Sequence, residues 1–209
     1  LRELLDGTGR LSSIDVDAQD ENGFGLVHHA ARHGDAGALR ELVSAGCALD
    51  SLHGCGATPL HVALEHVQFE CAELLLEMGA SVNAKDDDGR SPIFLAASEI
   101  TVVRLLLDAH ADAEHADDDG NTPLFHVANE CECATALLEA GACAERVSTS
   151  GLTPLAVAIS GDCFGGFSDV AELLVEHNAS MHTGVGPTGA CSPLCVAINA
   201  RHGRNAQLL

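Results

Sequence analysis

Five of the six prolines in this chain of 209 residues stand in one recurring tripeptide. It reads Thr58-Pro59-Leu60, Ser91-Pro92-Ile93, Thr122-Pro123-Leu124, Thr153-Pro154-Leu155 and Ser192-Pro193-Leu194, so the prolines are 33, 31, 31 and 39 residues apart. Ser or Thr before Pro marks a helix start: the hydroxyl can cap a free backbone N–H, and Pro fits the first helical position. Five such starts at near-constant period mean one supersecondary unit written several times. A chain of this kind folds as a linear array whose units touch only their neighbours, which points to partner recognition before catalysis.

Aligned on the proline, the units share further punctuation. Thirteen positions earlier stand Gly46, Gly79, His110 and Gly141, with Asn178 two positions further back before the last proline. Gly and Asn close helices in the left-handed conformation, and His is enriched at positive φ. Before them lie leucine-rich helix ends such as Leu74-Leu75-Leu76 and Leu105-Leu106-Leu107. Three residues before the proline comes Gly56, Gly89, Gly120 or Gly151, ending a polar turn such as Asp86-Asp87-Asp88-Gly89, with Gly23 in a degenerate first copy. After the proline runs an Ala-rich segment, as in Leu95-Ala96-Ala97. One unit therefore reads as a finger-like turn, a short Ala-rich helix, a tight connection, a Leu-rich helix and a stop.

This unit resembles the ankyrin repeat, whose signature is Thr-Pro-Leu-His-x-Ala in about 33 residues. Thr58-Pro59-Leu60-His61-Val62-Ala63 matches it in full. The resemblance implies an all-α repeat solenoid with short β-hairpin or finger loops. On this reading a single array covers 1–209. It comprises a partial unit over 1–18, repeats over 19–50, 51–83, 84–114, 115–145 and 146–182, and a truncated last repeat over 183–209. Both ends are expected to fall within repeats of a longer protein. The repeats beginning near Ala84 and His115 are two residues short between their helices, where Gly34-Asp35 has no counterpart, so a tighter connection is expected there. Extra residues fall in 161–167 and 183–190. His28 and His61 occupy the family's structural His position, where the imidazole bonds to backbone.

Composition narrows the function. There are 31 acids against ten bases, a formal net charge of −21 that repels nucleic acid and anionic membrane surfaces. No apolar run reaches the roughly 18 residues of a membrane span, and no charged-then-apolar pattern is visible after Leu1, so no signal peptide is expected. Nine cysteines, an odd number that does not recur repeat by repeat, read as reduced and mostly buried thiols, hence a cytoplasmic or nuclear setting.

The motifs that suggest chemistry lose their context in this frame. Gly184-Val185-Gly186-Pro187-Thr188-Gly189 spells a dinucleotide fingerprint but falls in an enlarged finger, without the strand that mechanism needs. Gly161-Asp162-Cys163-Phe164-Gly165 mimics a nucleophile elbow but sits between helices. Cys131 and Cys133, two apart on a helix, diverge by about 200° and do not share an ion easily, and Cys191 and Cys195 could share a face but lack a second pair at zinc-finger spacing. Neither catalysis nor a cofactor or metal is expected.

The remaining polar signal is the pair of triplets Asp86-Asp87-Asp88 and Asp117-Asp118-Asp119. Stacked at equivalent fingertips they would form a negative ridge, with Asp87 and Asp118 in excess of the usual turn pattern. The resemblance implies contacts around the turn glycine and at the end of the first helix. These are Phe24, Arg32 and His33; Cys55, Glu65 and His66; Asp87, Asp88, Arg90, Ser98 and Glu99; and Asp118, Asp119, Asn121, Asn129 and Glu130. Phe24 is either an exposed apolar anchor or a plug at the N-terminal junction. The expected function is a monomeric, non-catalytic scaffold binding a basic or mixed-charge segment of another protein. The alternative is a regulatory module within a larger enzyme, channel or ubiquitin-ligase adaptor, contacting its own chain.

Overall fold

The computed structural model describes residues 18–96, 98–127, 130–160, 169–183 and 193. The sequence divides into two compact units, 1–95 and 96–209. The first holds α1 (Leu26–His33), α2 (Ala36–Ser44), α3 (Pro59–Glu65), α4 (Phe69–Glu77) and a 3₁₀ turn over Pro92–Phe94. The second holds α5 (Ile100–Asp108), α6 (Pro123–His126), α7 (Cys131–Glu139), α8 (Pro154–Ser160) and α9 (Asp169–Glu176). Among the described residues the extended structure is confined to one isolated bridge between Gln19 and Gly25. The architecture is an all-α repeat array.

The punctuation sets the elements. Gly46, Gly79, His110, Gly141 and Asn178 all have positive φ, 99°, 90°, 67°, 98° and 63°. Each places its own N–H and that of the next residue on the last carbonyls of the Leu-rich helix, as in Gly79 N to Leu76 O (3.0 Å) and Ala80 N to Leu75 O (2.9 Å). Every described finger repeats one turn: the residue six before the proline position bonds across to the residue after the glycine, as Asp86 N does to Arg90 O at 3.0 Å. Adjacent fingers are tied by Gly54 N to Asn22 O (2.9 Å) and Asp87 N to Cys55 O (3.1 Å) in the first unit, and by Thr149 N to Asp119 O (2.8 Å) in the second.

The cores are aliphatic. Leu39, Leu42, Leu60, Leu75 and Ile93 are fully buried in the first unit, and Leu106, Leu124, Leu137, Leu155, Ile159 and Leu174 in the second. Each contributes roughly 1.5–3 kcal/mol of burial. Small Ala31, Ala63, Ala72, Ala134 and Ala171, all buried, let the helices approach closely.

Two expectations need correction. In the repeats with Pro92 and Pro123 the missing residues shorten the first helix itself, to the 3₁₀ turn and to the four residues of α6, against seven in α3 and α8. The connection is not tightened: five residues, 95–99, separate the 3₁₀ turn from α5, whereas three, 66–68, separate α3 from α4. The helix-start hydroxyls also differ from one another. Thr153 Oγ1 accepts Ala156 N at 3.2 Å, as a cap should. Thr58 Oγ1 instead bonds the His61 ring at 2.9 Å, and the buried hydroxyls of Ser91 and Thr122 have no hydrogen-bond partner. At the positions matching His61 those two repeats carry Phe94 and Phe125. Their N–H groups go to the backbone oxygens of Ser91 (3.0 Å) and Thr122 (2.9 Å), so the hydroxyls lose both candidate partners.

Candidate protein-binding groove

In the first unit three fingers and the ends of α1 and α3 enclose a groove of about 1000 Å³. Each finger is locked by a side chain at its first position, which accepts backbone N–H groups from within the turn. Asp20 Oδ1 takes Asn22 N and Phe24 N, both at 2.9 Å, and His53 Nδ1 takes Cys55 N at 3.1 Å. Asp86 Oδ1 takes Asp88 N at 3.0 Å and Arg90 N at 2.8 Å. The first acid of the triplet thus belongs to the turn, and its side chain is only 5% exposed. Burial alone would push the Asp86 carboxyl up, but the hydrogen bonds from the Arg90 side chain and backbone hold it below its usual value.

Five carboxylates line the groove, those of Glu21, Glu65, Asp86, Asp87 and Asp88, against the guanidiniums of Arg32 and Arg90. Arg90 is consumed locally: it bridges Asp86 Oδ2 at 2.8 Å and Asp88 Oδ2 at 3.0 Å. Asp87 is exposed, and its backbone holds the neighbouring finger while its side chain passes close to Gly56. A Cβ on Gly56 would lie 2.3 Å from Asp87 Oδ1 and 2.8 Å from Asp87 N, and the φ there is +70°. Glycine is required at that crossing.

The N-terminal rim is aromatic. Phe24 stacks on His53, centroids 4.4 Å apart and planes 11° apart, and meets His28 edge-on at 5.9 Å. The guanidinium carbon of Arg32 stands over the Phe24 ring at 5.9 Å, within cation–π range. Phe24 is half-buried, part of the junction and part of the groove wall. His28 and His61 beneath them bond to backbone at both nitrogens. His28 Nδ1 accepts Gly25 N at 3.1 Å and its Nε2 meets Ala57 O at 3.3 Å. His61 Nδ1 accepts Thr58 N at 3.2 Å and its Nε2 meets Arg90 O at 3.1 Å.

Of the residues expected from sequence, Phe24, Arg32, Glu65, His66, Asp87, Asp88 and Arg90 all line this groove, and His33 does not. In the second unit Asp118, Asp119 and Glu130 are exposed, as is Ser98. Asn121 folds back on its own turn, its Nδ2 3.2 Å from Asp117 Oδ2, and Glu99 accepts Thr101 Oγ1 at 2.9 Å. Asn129, the insertion at 161–167, the 184–189 glycine string and Cys191 and Cys195 lie outside the described residues. His53 and Glu21 were not foreseen as groove residues. Aligning the turns six residues before the proline places His53 beside Asp20 and Asp86, which is the signal that finds it.

Many acids serve the fold. Asp35 Oδ1 caps α2 through Ala38 N at 2.8 Å. Asp50 takes Ser81 N at 2.8 Å, Glu114 takes Cys143 N at 2.6 Å and Glu145 takes Ser180 N, each from the following repeat, and Glu145 also takes the Thr183 hydroxyl. Among the described cysteines Cys47, Cys71 and Cys133 are buried, and burial pushes the Cys71 and Cys133 thiols up. Cys55 and Cys143 are exposed and Cys131 is half-buried, so burial is less general than the sequence suggests. No group of His, Cys, Asp or Glu among the described residues has metal-binding geometry, and no helix there is long and apolar enough to cross a membrane.

Paired helices and stacked fingers repeated along the chain define a helical repeat module. Residues 2–86 and 93–184 match the family model described as ankyrin repeats, three copies, and the chain belongs to the ankyrin repeat family. It is 32% identical over 92 residues to a transient receptor potential cation channel subfamily A member 1 homolog of Caenorhabditis elegans, covering 44% of this chain and 8% of that protein. It is 40% identical over 74 residues to Inversin of Homo sapiens, covering 35% of this chain and 7% of the relative. The E3 ubiquitin-protein ligase KEG of Arabidopsis thaliana is 31% identical over 94 residues, covering 44% and 6%. The chain therefore matches less than a tenth of each of these relatives.

Proposed function

We propose that this chain is a non-catalytic interaction module whose first-unit groove receives a basic or mixed-charge segment of another protein. The observation that carries the reading is the charge of that groove. Five acidic residues and two arginines line it, and Arg90 is already held by two of the acids. Glu65, Asp87 and Glu21 remain to attract a cation. Asp118, Asp119 and Glu130 add exposed negative charge on the second unit.

The test is a peptide array of cationic, neutral and anionic sequences probed with the purified chain at two salt concentrations. Binding should concentrate on Lys- and Arg-containing peptides and weaken with salt. The combined Glu65→Gln and Asp87→Asn variant should lose most of that binding. A charge-independent pattern, or one the variant leaves intact, contradicts the groove.

A second reading rests on the coverage of the relatives. Each is a long protein of which the matched segment is a small part. In that arrangement the groove would take a basic segment of its own chain and regulate the rest.

A further inference from the structure

The connection after α3 contains the most exposed large apolar side chain of the described residues. Val67 is 63% accessible, and its backbone lies in the left-handed region at φ 59°. A β-branched residue is a conformational outlier there, because its Cβ substituents crowd the backbone. The hydrogen bonding explains why the backbone stays. Val67 N bonds Leu64 O at 3.1 Å and Gln68 N bonds Ala63 O at 2.8 Å. The preceding repeat closes α1 in the same way, Gly34 N to Ala31 O and Asp35 N to Ala30 O, with Gly34 at φ 72°. This chain also uses Asn178 at φ 63° for the corresponding purpose after α9. Glycine or asparagine would therefore satisfy the turn, and valine strains it while burying little.

Val67 contributes neither good backbone geometry nor core packing. Val67 is not itself part of the acidic groove's lining, but it directly follows Glu65 and His66, both of which are. Strained residues that the fold does not need concentrate where they contact ligands. We infer that Val67 is a partner-contacting residue, and that the groove's occupant is a segment carrying a Lys or Arg beside a large apolar residue. The cation answers Glu65 and Asp87, and the apolar side chain covers Val67. This inference rests on the groove reading above for where the segment lies.

The experiment uses the whole chain and a random twelve-residue peptide display library. The enriched peptides should pair Lys or Arg with Leu, Ile, Val, Met or an aromatic residue. One enriched peptide is then titrated against Val67→Asn, Val67→Gly and Asp87→Asn proteins. Val67→Asn should raise the thermal midpoint by about 3 °C, by relieving strain, and weaken the peptide about fivefold. The Val67→Gly protein should bind as weakly. If Val67→Asn lowers the midpoint, or both Val67 variants bind undiminished, the inference is overturned. Loss on Asp87→Asn with no loss at Val67 would leave the groove reading standing and refute only the Val67 contact. Binding unaffected by Asp87→Asn, or no enriched peptide at all, would refute both.

Discussion

The imidazole of His61 joins Thr58 to Arg90, a residue 29 positions away in the next finger. Its Nδ1 accepts Thr58 N–H while its Nε2–H donates to Arg90 O, an arrangement open only to the neutral ring. His28 makes the same link between Gly25 and Ala57. The two rings staple consecutive fingers of the first unit, and His61 also lines its groove.

These staples make stability depend on pH with a fixed sign. Burial is the largest influence on both rings and lowers their pKa below the ordinary 6.5, although the carbonyl partners Ala57 and Arg90 act the other way. The folded state therefore disfavours the proton that the unfolded chain binds. Stability should be level above about pH 7 and decline as pH falls below 6.5, well before the carboxylates titrate. Urea midpoints between pH 5 and 8 check this, and the combined His28→Gln and His61→Gln variant should show a flatter profile.

The helix-start hydroxyls should respond differently to the same substitution. Thr58→Val removes a bonded hydroxyl and should cost about 1 kcal/mol. Thr122→Val removes a buried hydroxyl without a partner and should be neutral or stabilising by up to about 1 kcal/mol. Denaturant unfolding of the two variants measures the difference.

Asp86 and Asp87 are neighbours with opposite duties. Asp86→Ala strips the finger of its acceptor and frees Arg90, and should destabilise by roughly 2 kcal/mol. Asp87→Asn should leave the unfolding curve unchanged and reduce the salt dependence of peptide binding. Paired unfolding and binding measurements on both proteins separate these roles.

Gly56→Ala tests the stacking of fingers. The added methyl meets Asp87 Oδ1 and N within 3 Å at a left-handed φ. A loss of about 2–3 kcal/mol is expected. The amide of Asp87, now bonded to Cys55 O, should lose its protection from hydrogen exchange.

The array was legible because its punctuation is stereochemical. A residue such as Gly79, His110 or Asn178 at a helix stop announces positive φ whatever surrounds it. The resemblance points to residues beside the turn glycine and at the first-helix ends, and of these Phe24, Arg32, Glu65, His66, Asp87, Asp88 and Arg90 line the groove while His33 does not. Alignment could not show which hydroxyl finds a partner. Ser91 and Thr122 look like Thr58 and Thr153 in sequence, and their fate depends on Phe94 and Phe125 three residues later. The resemblance does separate the acids in part, marking Asp87 and Asp118 as beyond the usual turn pattern. Asp86 and Asp87 differ only in whether the turn directs a carboxylate to its own N–H groups or leaves it exposed. Val67 was visible as a valine where Gly34 stands, once the helix closures are compared.

The most direct test is to titrate one library-selected cationic peptide into the isotopically labelled chain and follow every backbone amide. The groove account predicts that the largest shifts fall on Phe24, Arg32, Glu65, His66, Asp87 and Arg90, and shrink with added salt. Shifts concentrated on the Leu-rich helices α2 and α4, with the groove amides unmoved, would contradict it.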